Sequence, residues 1–183
     1  PASDLYGIAF ADKMNGVAVG KDGVILRTSD GGKKWLQIQS GTIQTLIDVQ
    51  FIDTKTGWCV GFEGTVLRTT NGGKTWHAQS SGVKNHFWSL WFINKNIGWI
   101  CGSGGVIMKT TDGGKTWKKQ DSGLTHFYYS VQFINRKTGW VVGGYGAVMK
   151  TTDGGESWQR QNTRPDLRIF QSSTFFYGVQ FTD

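Results

Sequence analysis

The chain lacks several features that would assign it to a common class of protein. No stretch of about 11 residues or more has helical periodicity, so a helical domain is not expected. The longest apolar run, from Phe87 to Ile93, is broken by Ser89 and is too short to span a membrane. No block of five or six like charges occurs, which argues against a nucleic-acid-binding tail. No change in composition marks a linker, and we therefore expect one domain over 1–183.

Acidic residues are fewer than basic ones. The sequence has 13 Asp and Glu against 20 Lys and Arg, which gives a formal net charge of +7. This charge favours an acidic partner or surface. Basic residues are spread along the chain, and most aromatic residues recur at a fixed spacing. Core packing therefore explains the aromatic residues better than stacking on single-stranded nucleic acid does.

The dominant feature of the sequence is an internal repeat with a period of 41 residues. Four segments read Thr-x-Asp-Gly-Gly-x-x-Trp, with Asn in place of Asp in the second. The Asp or Asn positions are Asp30, Asn71, Asp112 and Asp153, and the segments end at Trp35, Trp76, Trp117 and Trp158. Such regular spacing indicates a row of equal supersecondary units that bury their apolar faces against one another.

Each unit is predicted to contain four short antiparallel strands, A to D. The units begin near residues 5, 46, 87 and 128. In the second unit the predicted strands are Leu46 to Phe51, Gly57 to Val60, Val66 to Thr69 and Trp76 to Gln79. These runs are rich in β-branched and aromatic residues and are separated by Gly and Asp turns. Four strands in about 41 residues form one blade of a propeller, so we predict an all-β fold, a β-propeller with four complete four-stranded blades.

The repeated segment resembles the Asp-box, or bacterial neuraminidase repeat, of sialidases, sortilin-type receptors and secreted propellers. The fuller pattern adds Gly-Trp-x-x-Gly at 57–61, 98–102 and 139–143. With this addition nearly the whole chain most closely resembles the photosystem II stability and assembly factor family. The resemblance implies a secreted, periplasmic or lumenal factor that assists a membrane-complex subunit, without a cofactor. The first unit departs from the pattern because Val17 stands where the others have Trp, so its packing is expected to be looser or differently filled.

The number of blades in the complete ring is open. The resemblance implies seven blades, which at this period need about 287 residues. This chain supplies four blades and a further inner strand near 175–183, from Tyr177 to Phe181. Either the chain is part of a longer protein, or several chains complete the ring, or the array stays open. An uncovered terminal strand edge would also allow self-association.

The Asp-box residues and the cysteines are assigned structural roles. A short acid or amide before Gly accepts backbone hydrogen bonds in a turn, and Asn71 in one copy fits a turn better than acid-base chemistry. The tryptophan that ends each segment is expected to cover that turn and pack between blades. Cys59 and Cys101 lie in neighbouring B strands but one position out of register, so they face opposite sides and no disulfide is expected.

The sequence offers little for catalysis. Sialidases use an arginine triad on the substrate carboxylate and a Tyr/Glu nucleophile pair, but the only glutamates are Glu63 and Glu156, and no unique set of carboxylate, Tyr and three Arg stands out. The three histidines lack the companion ligands and spacing of a metal site. We therefore predict a non-catalytic protein-interaction or assembly scaffold without catalytic or metal-binding residues. The alternative is a glycan-binding module or a sialidase-like glycosidase.

Positions that differ between the repeats are free for recognition. The B–C hairpin tips and the D–A crossings between blades differ most, and propeller topology places both on one rim, where loops usually carry binding. Their residue types are those that dominate interface hot spots, although some of these aromatics can instead belong to the core. The predicted rim site comprises Phe62, Glu63, His86, Trp88, Tyr128, Tyr129, Tyr145, Arg164 and Arg168.

A second candidate site is an arc of cations in the C strands. One basic residue per unit stands three positions before the Asp-box acid or amide, namely Arg27, Arg68, Lys109 and Lys150. Such an arc could contact an acidic partner. Alternatively, each alkyl stem packs between blades while its charged end reaches water or a local carbonyl.

Overall fold

The computed structural model of the chain describes residues 3–162. The predicted strand near 175–183 lies outside this range, as do Arg164 and Arg168. Within it the prediction of an all-β propeller with four-stranded blades is confirmed, because sixteen strands form four antiparallel sheets in chain order. No helix among the described residues is long and apolar enough to cross a membrane.

Each sheet is one blade, with its four strands adjacent in the order of the sequence. Blade 1 contains β1 (Leu5–Phe10), β2 (Gly16–Gly20), β3 (Ile25–Thr28) and β4 (Leu36–Ile38). Blade 2 contains β5 (Leu46–Phe51), β6 (Gly57–Gly61), β7 (Val66–Thr69) and β8 (His77–Gln79). Blade 3 contains β9 (Phe87–Phe92), β10 (Gly98–Gly102), β11 (Ile107–Thr110) and β12 (Lys118–Gln120). Blade 4 contains β13 (Tyr128–Phe133), β14 (Gly139–Gly143), β15 (Val148–Thr151) and β16 (Gln159–Arg160).

The core lies in the seams between neighbouring blades. Every residue of β6 and β10 is buried, because both faces of these second strands are covered. Trp58 of blade 2 stacks on Phe92 of blade 3 with ring centroids 3.7 Å apart, and Trp99 stacks on Phe133 of blade 4 at 3.5 Å. The large apolar residues that recur with the repeat are thus the contacts that hold one blade to the next.

A hydrogen bond to an Asp-box carbonyl accompanies this packing at each seam. The indole Nε1–H of Trp58 donates to Gly113 O at 3.0 Å, and that of Trp99 donates to Gly154 O at 3.1 Å. Val17 has no such group. In the first seam the donor is Arg27, whose Nε–H reaches the equivalent carbonyl, Gly72 O, at 2.8 Å.

The sequence predicted that the first seam is packed more loosely or filled differently. The structure shows that it is filled differently and is not loosely packed. Val17 is 1% exposed. Its side chain lies close to Gly73, where an added Cβ would come within 2.7 Å of Val17 Cγ2. The arginine supplies the hydrogen bond that the missing indole cannot.

The first strands of neighbouring blades lie against one another at the inner end of the sheets. Side chains bridge them: Asp48 Oδ2 accepts a hydrogen bond from the backbone N–H of Leu90 at 3.0 Å, and Gln50 Oε1 accepts one from Phe92 at 2.6 Å. Ser89 Oγ accepts in the same way from Val131, at 3.4 Å. These bridges satisfy backbone groups that would otherwise be unpaired at strand edges.

Loops lie on two rims. On the upper rim, each B–C hairpin tip contains one turn of 3-10 helix, at Lys21–Gly23, Phe62–Gly64, Ser103–Gly105 and Gly144–Gly146. The tips are hydrogen-bonded to the D–A crossings, as between Ser103 N and His86 O. On the lower rim, each Asp-box is hydrogen-bonded to the A–B turn of its own blade, as between Gly72 N and Lys55 O. The predicted placement of tips and crossings on one rim is therefore confirmed.

The uncovered apolar surface belongs mainly to blade 1. Phe92 and Phe133 are 2% exposed because Trp58 and Trp99 cover them. No blade precedes blade 1 among the described residues, and the equivalent Phe10 is 46% exposed. Self-association through such an edge stays a prediction.

Candidate functional site

Five aromatic side chains from three blades meet on the upper rim. Phe62 lies 4.5 Å from His86 and 5.4 Å from Trp88, measured between ring centroids. Trp88 lies 6.1 Å from Tyr129, and Tyr129 lies 6.5 Å from Phe127. We call this row the rim cluster; it consists of Phe62, His86, Trp88, Phe127 and Tyr129.

A β-bulge in the first strand of blades 3 and 4 aims one side chain of each blade into the cluster. In β9 the pairing passes from Ser89 opposite Cys101 to Phe87 opposite Gly102, so Trp88 is the extra residue. Tyr129 is the extra residue of β13 in the same way. A bulge redirects a side chain and increases the local twist, which explains why these rings reach the rim from strands that otherwise face the core. The bulge needs the glycine opposite it, since a Cβ on Gly102 would collide with the backbone at His86.

The structure corrects the prediction for Tyr128. This residue is 0% exposed, and its hydroxyl donates to Ser122 Oγ at 2.8 Å. It occupies the same place in blade 4 as the fully buried Phe87 in blade 3. Tyr128 is a core residue, and Tyr129 next to it carries the side chain that reaches the rim.

The hairpin tips hold three residues in the left-handed backbone region. Asp22, Glu63 and Tyr145 have φ of 56°, 53° and 56°, whereas blade 3 has Gly104 at the same point. A non-glycine residue in this region costs roughly 1–2 kcal/mol, and such strain is often kept where a side chain has a function. The backbone N–H of Glu63 donates to His86 Nδ1 at 3.2 Å, and the Glu63 carboxylate lies 3.8 Å from the same nitrogen. Glu63 thus borders the rim cluster.

A cleft of about 500 Å³ continues the rim cluster onto blade 4. His126 and Tyr145 both line it, and their rings are in contact with centroids 4.7 Å apart. Its lining is Thr125, His126, Phe127, Tyr129, Gly144 and Tyr145. Tyr145 therefore lies next to the rim cluster, while the predicted site residues Arg164 and Arg168 fall outside the described part of the chain.

The four cations of the predicted arc are half-buried, and Arg27, Arg68 and Lys109 lie at the seams between described blades. Arg68, Lys109 and Lys150 lie over the indole rings of Trp58, Trp99 and Trp140, with 5.5, 5.9 and 5.2 Å between charge and centroid. The fourth, Arg27, is bonded to Gly72 O and, through Nη2, to Asn15 Oδ1 at 2.9 Å. The arc thus takes part in inter-blade packing, and its charged ends lie toward the Asp-box side, away from the rim cluster. Its role in binding stays a prediction.

The Asp-boxes are closed hydrogen-bonded turns. In blade 4, Asp153 Oδ1 accepts from Thr151 Oγ1 at 2.8 Å and from Ser157 N at 3.0 Å. The Ser157 hydroxyl bonds to the other oxygen, and these bonds hold the pKa of Asp153 well below its usual range. Asn71 Oδ1 makes the same two contacts in blade 2. Trp76 and Trp158 are buried, while Trp35 and Trp117 are half-buried.

One half-buried acid was missed by reasoning from the sequence. Asp48 stands on β5, and burial raises its pKa although Leu90 and Val49 donate backbone N–H groups to it. The equivalent positions in the other blades hold Gly7, Ser89 and Ser130, so Asp48 is the one acid at this point of the repeat. That contrast between repeats is the signal that could have identified it. Within residues 3–162 no group of three His, Cys, Asp or Glu side chains could hold a metal ion.

The sequence profile of one protein family matches most of the chain. The family is described as "Photosynthesis system II assembly factor YCF48", and its profile matches residues 33–124 and 117–182. No individually curated protein sequence matches the chain.

Solved structures of propellers also resemble it. One described as "YCF48 bound to D1 peptide" is 31% identical, with a TM-score of 0.62, and the match covers 67% of this chain but only 41% of that one. YCF48 from Cyanidioschyzon merolae is 16% identical, with a TM-score of 0.53, over 87% of this chain and 85% of that one. A GH74 enzyme from Niastella koreensis is 20% identical, with a TM-score of 0.69, over 85% of this chain and 30% of that one. At such identities the last two show a shared fold alone.

Proposed function

This chain belongs to the photosynthesis system II assembly factor YCF48 family, and on that premise we propose that it is a non-catalytic scaffold that binds a partner protein through the rim cluster. The observation that supports the proposal is the row of aromatic rings across blades 2 to 4. Successive centroids along Phe62, Trp88, Tyr129 and Phe127 are 5.4, 6.1 and 6.5 Å apart, so the row is continuous. An extended peptide segment bound along this row would contact the four aromatic side chains one after another.

The way these rings are held suits them to binding. Trp88 and Tyr129 project from bulged strands within a rigid sheet, and little conformational entropy is lost when a partner contacts a side chain that is already fixed. Tryptophan and tyrosine are enriched among the few residues that dominate the binding energy of protein interfaces. The strained tips beside the cluster place Glu63 and Tyr145 where a bound segment would pass.

The partner is proposed from the family and from charge. One relative was solved with a D1 peptide. We extend this to a segment of a photosystem II subunit as the partner of this chain, and to the lumenal side of the membrane as its location. The net charge of +7 would attract an acidic segment and raise its association rate.

The carboxylates support a non-catalytic role. Most glycoside hydrolases use two carboxyl groups on either side of the scissile bond. Glu63 lies on the upper rim and Glu156 in an Asp-box on the lower rim, so the two glutamates do not face a common substrate. Asp48 is engaged by backbone N–H groups of β5 and β9. We expect no turnover of sialosides or other glycosides by the purified chain, and turnover abolished by Glu63→Gln would contradict the proposal.

The binding role is tested with two variants at the same point of the repeat. Trp88→Ala should weaken binding of a fluorescently labelled D1 peptide by roughly 1 to 4 kcal/mol, since it removes a central anchor. The matched control is Tyr6→Ala, because Tyr6 is the bulge residue of β1, is 53% exposed and lies outside the cluster. Equal losses in the two variants would overturn the proposal. Binding that survives Trp88→Ala but falls with Arg27→Ala and Arg68→Ala would assign the site to the cation arc.

A further inference from the structure

The seams between blades are not equivalent on the lower rim. At each seam the arc cation of one blade approaches the Asp-box of the next. In the seam between blades 3 and 4, Lys109 Nζ lies 3.5 Å from Glu156 Oε1, and Lys118 Nζ lies 3.2 Å from Glu156 Oε2. The chain therefore places a carboxylate of its own against the arc cation of this seam.

The two lysines act on that carboxylate as they would on a ligand. Hydrogen bonding and charge attraction from Lys118, with a contribution from Lys109, lower the pKa of Glu156. Lys109 is held in the seam, with only 16% of its side chain exposed, while Glu156 is about half exposed. The seam between blades 3 and 4 thus shows that this position can hold an oxyanion.

The seam between blades 1 and 2 has the same construction without the acid. Lys74 stands at the repeat position of Glu156, and Asn71 stands at that of Asp153. A cleft of about 430 Å³ opens there, and its lining includes three cations and no carboxylate. The cations are Arg27, Lys55 and Lys74. Among the described residues, Lys55 and Lys74 form no ion pair.

The seam between blades 2 and 3 lacks this combination. Asn96 replaces Lys55 there, and the Asp-box position holds Asp112. Of the three seams within residues 3–162, the first alone therefore combines an arc cation, two further lysines and a neutral Asp-box residue.

We propose that the seam between blades 1 and 2 binds an oxyanion on the lower rim, held by Arg27, Lys55 and Lys74. The ligand is a carboxylate from an acidic protein segment or a phosphate, since both present oxygens that a guanidinium and two ammonium groups can hold. Arg27 is fixed by its bonds to Gly72 O and Asn15 Oδ1, so its charge is already in place. The site lies on the rim opposite the rim cluster and goes beyond the proposed function.

Two neighbouring acids, Asp12 and Asp53, do not fill the site. Asp12 lies close enough to Arg27 for attraction, but its oxygens accept hydrogen bonds from Met14 and Asn15. Asp53 is paired with Lys95, whose Nζ lies 2.8 Å from Oδ2. Neither side chain lines the cleft.

The test is a titration of the full chain labelled with ¹⁵N. Inorganic phosphate and an acetylated triglutamate peptide are added in separate arms, and the amide signals of Gly72 and Gly73 are followed. In Lys74→Glu a carboxylate of the chain itself stands at the site, as Glu156 does in the seam between blades 3 and 4. This variant should therefore bind the added oxyanion about tenfold or more weakly. Lys115→Glu makes the same charge change at the same repeat position of blade 3 and is the matched control.

Saturable shifts in the natural chain that are lost in Lys74→Glu and kept in Lys115→Glu would support the site. Tighter binding of the peptide would identify a protein carboxylate as the ligand, and tighter binding of phosphate would identify a phosphate. The absence of saturable shifts, or equal weakening in both variants, would overturn the proposal. If Lys74→Glu does not fold, the pair Lys74→Gln and Lys115→Gln makes the same comparison. Trp88→Ala should leave oxyanion binding unchanged. A failure of the oxyanion site can therefore be distinguished from a failure of the rim cluster.

Discussion

Arg27 is predicted to be a stabilising residue that Lys cannot replace. Its Nε–H donates to Gly72 O at 2.8 Å, and its Nη2 donates to Asn15 Oδ1 at 2.9 Å. A lysine carries one ammonium group on a flexible stem and cannot reproduce both bonds with the geometry of a guanidinium. In Arg27→Lys, we therefore expect one of these charge-assisted bonds to be lost.

The size of the effect follows from these contacts. A hydrogen bond to a charged group contributes about 1.5–3 kcal/mol. Because Arg27 is only half-buried, solvent screening reduces this, and we expect a loss of about 1 to 2 kcal/mol. Arg68 is the matched control, since its buried Nε has no hydrogen-bond partner and its charge lies over Trp58. A lysine can keep that contact, so Arg68→Lys should cost no more than about 0.5 kcal/mol.

Urea unfolding followed by tryptophan fluorescence measures both variants. The expected result is a lower midpoint for Arg27→Lys with the same dependence on urea, and a nearly unchanged midpoint for Arg68→Lys. Equal destabilisation by Arg27→Lys and Arg68→Lys would refute the reasoning. It would mean that the hydrogen bond from Arg27 to Gly72 O adds no stability beyond that of the positive charge and alkyl chain, which both arginines have.

Two further predictions concern the core and the acid Asp48. Trp76→Ala should cost about 3 to 5 kcal/mol in urea unfolding, since Trp76 is 7% exposed and packs edge-on against Phe51, whereas the half-buried Trp35→Ala should cost less. A similar cost in both would contradict the assigned packing. Asp48 has a folded-state pKa raised by burial above the ordinary 3.8, so its contribution to stability is greatest at low pH and is lost as pH rises above 3.8 toward the raised value. The free energy of unfolding of the natural chain minus that of Asp48→Asn should therefore fall over that window, and a difference that rises with pH would show that the sign is wrong.

Much of the fold could be predicted from the repeat. The spacing of Trp35, Trp76, Trp117 and Trp158 determined that equal units stack. In blade 2 the predicted first and third strands match the observed β5 and β7, because Gly and Asp turns mark strand ends locally. The fourth strand begins at His77, one residue later than predicted, since Trp76 belongs to the turn that it covers.

The candidate site was predicted only in part. Comparison of repeats identified the tips and crossings, and Phe62, His86, Trp88 and Tyr129 do come together. It did not separate Tyr128 from Tyr129. Two adjacent aromatic residues look alike in sequence, and the bulge that places one in the core and the other on the rim depends on pairing with β14.

The sequence by itself determined the features that depend on local spacing, namely the blades, their strands, the Asp-box turns and the variable positions. Tertiary structure alone decided which side chains meet across a seam. Arg27 and Gly72 are 45 residues apart, and Trp58 and Gly113 are 55 apart. In both pairs, however, the hydrogen-bond acceptor is the carbonyl oxygen at the same position of the repeat. The open, positively charged seam between blades 1 and 2 depends in the same way on residues from two blades. No local pattern encodes such contacts, because they arise from the angle at which one sheet packs on the next.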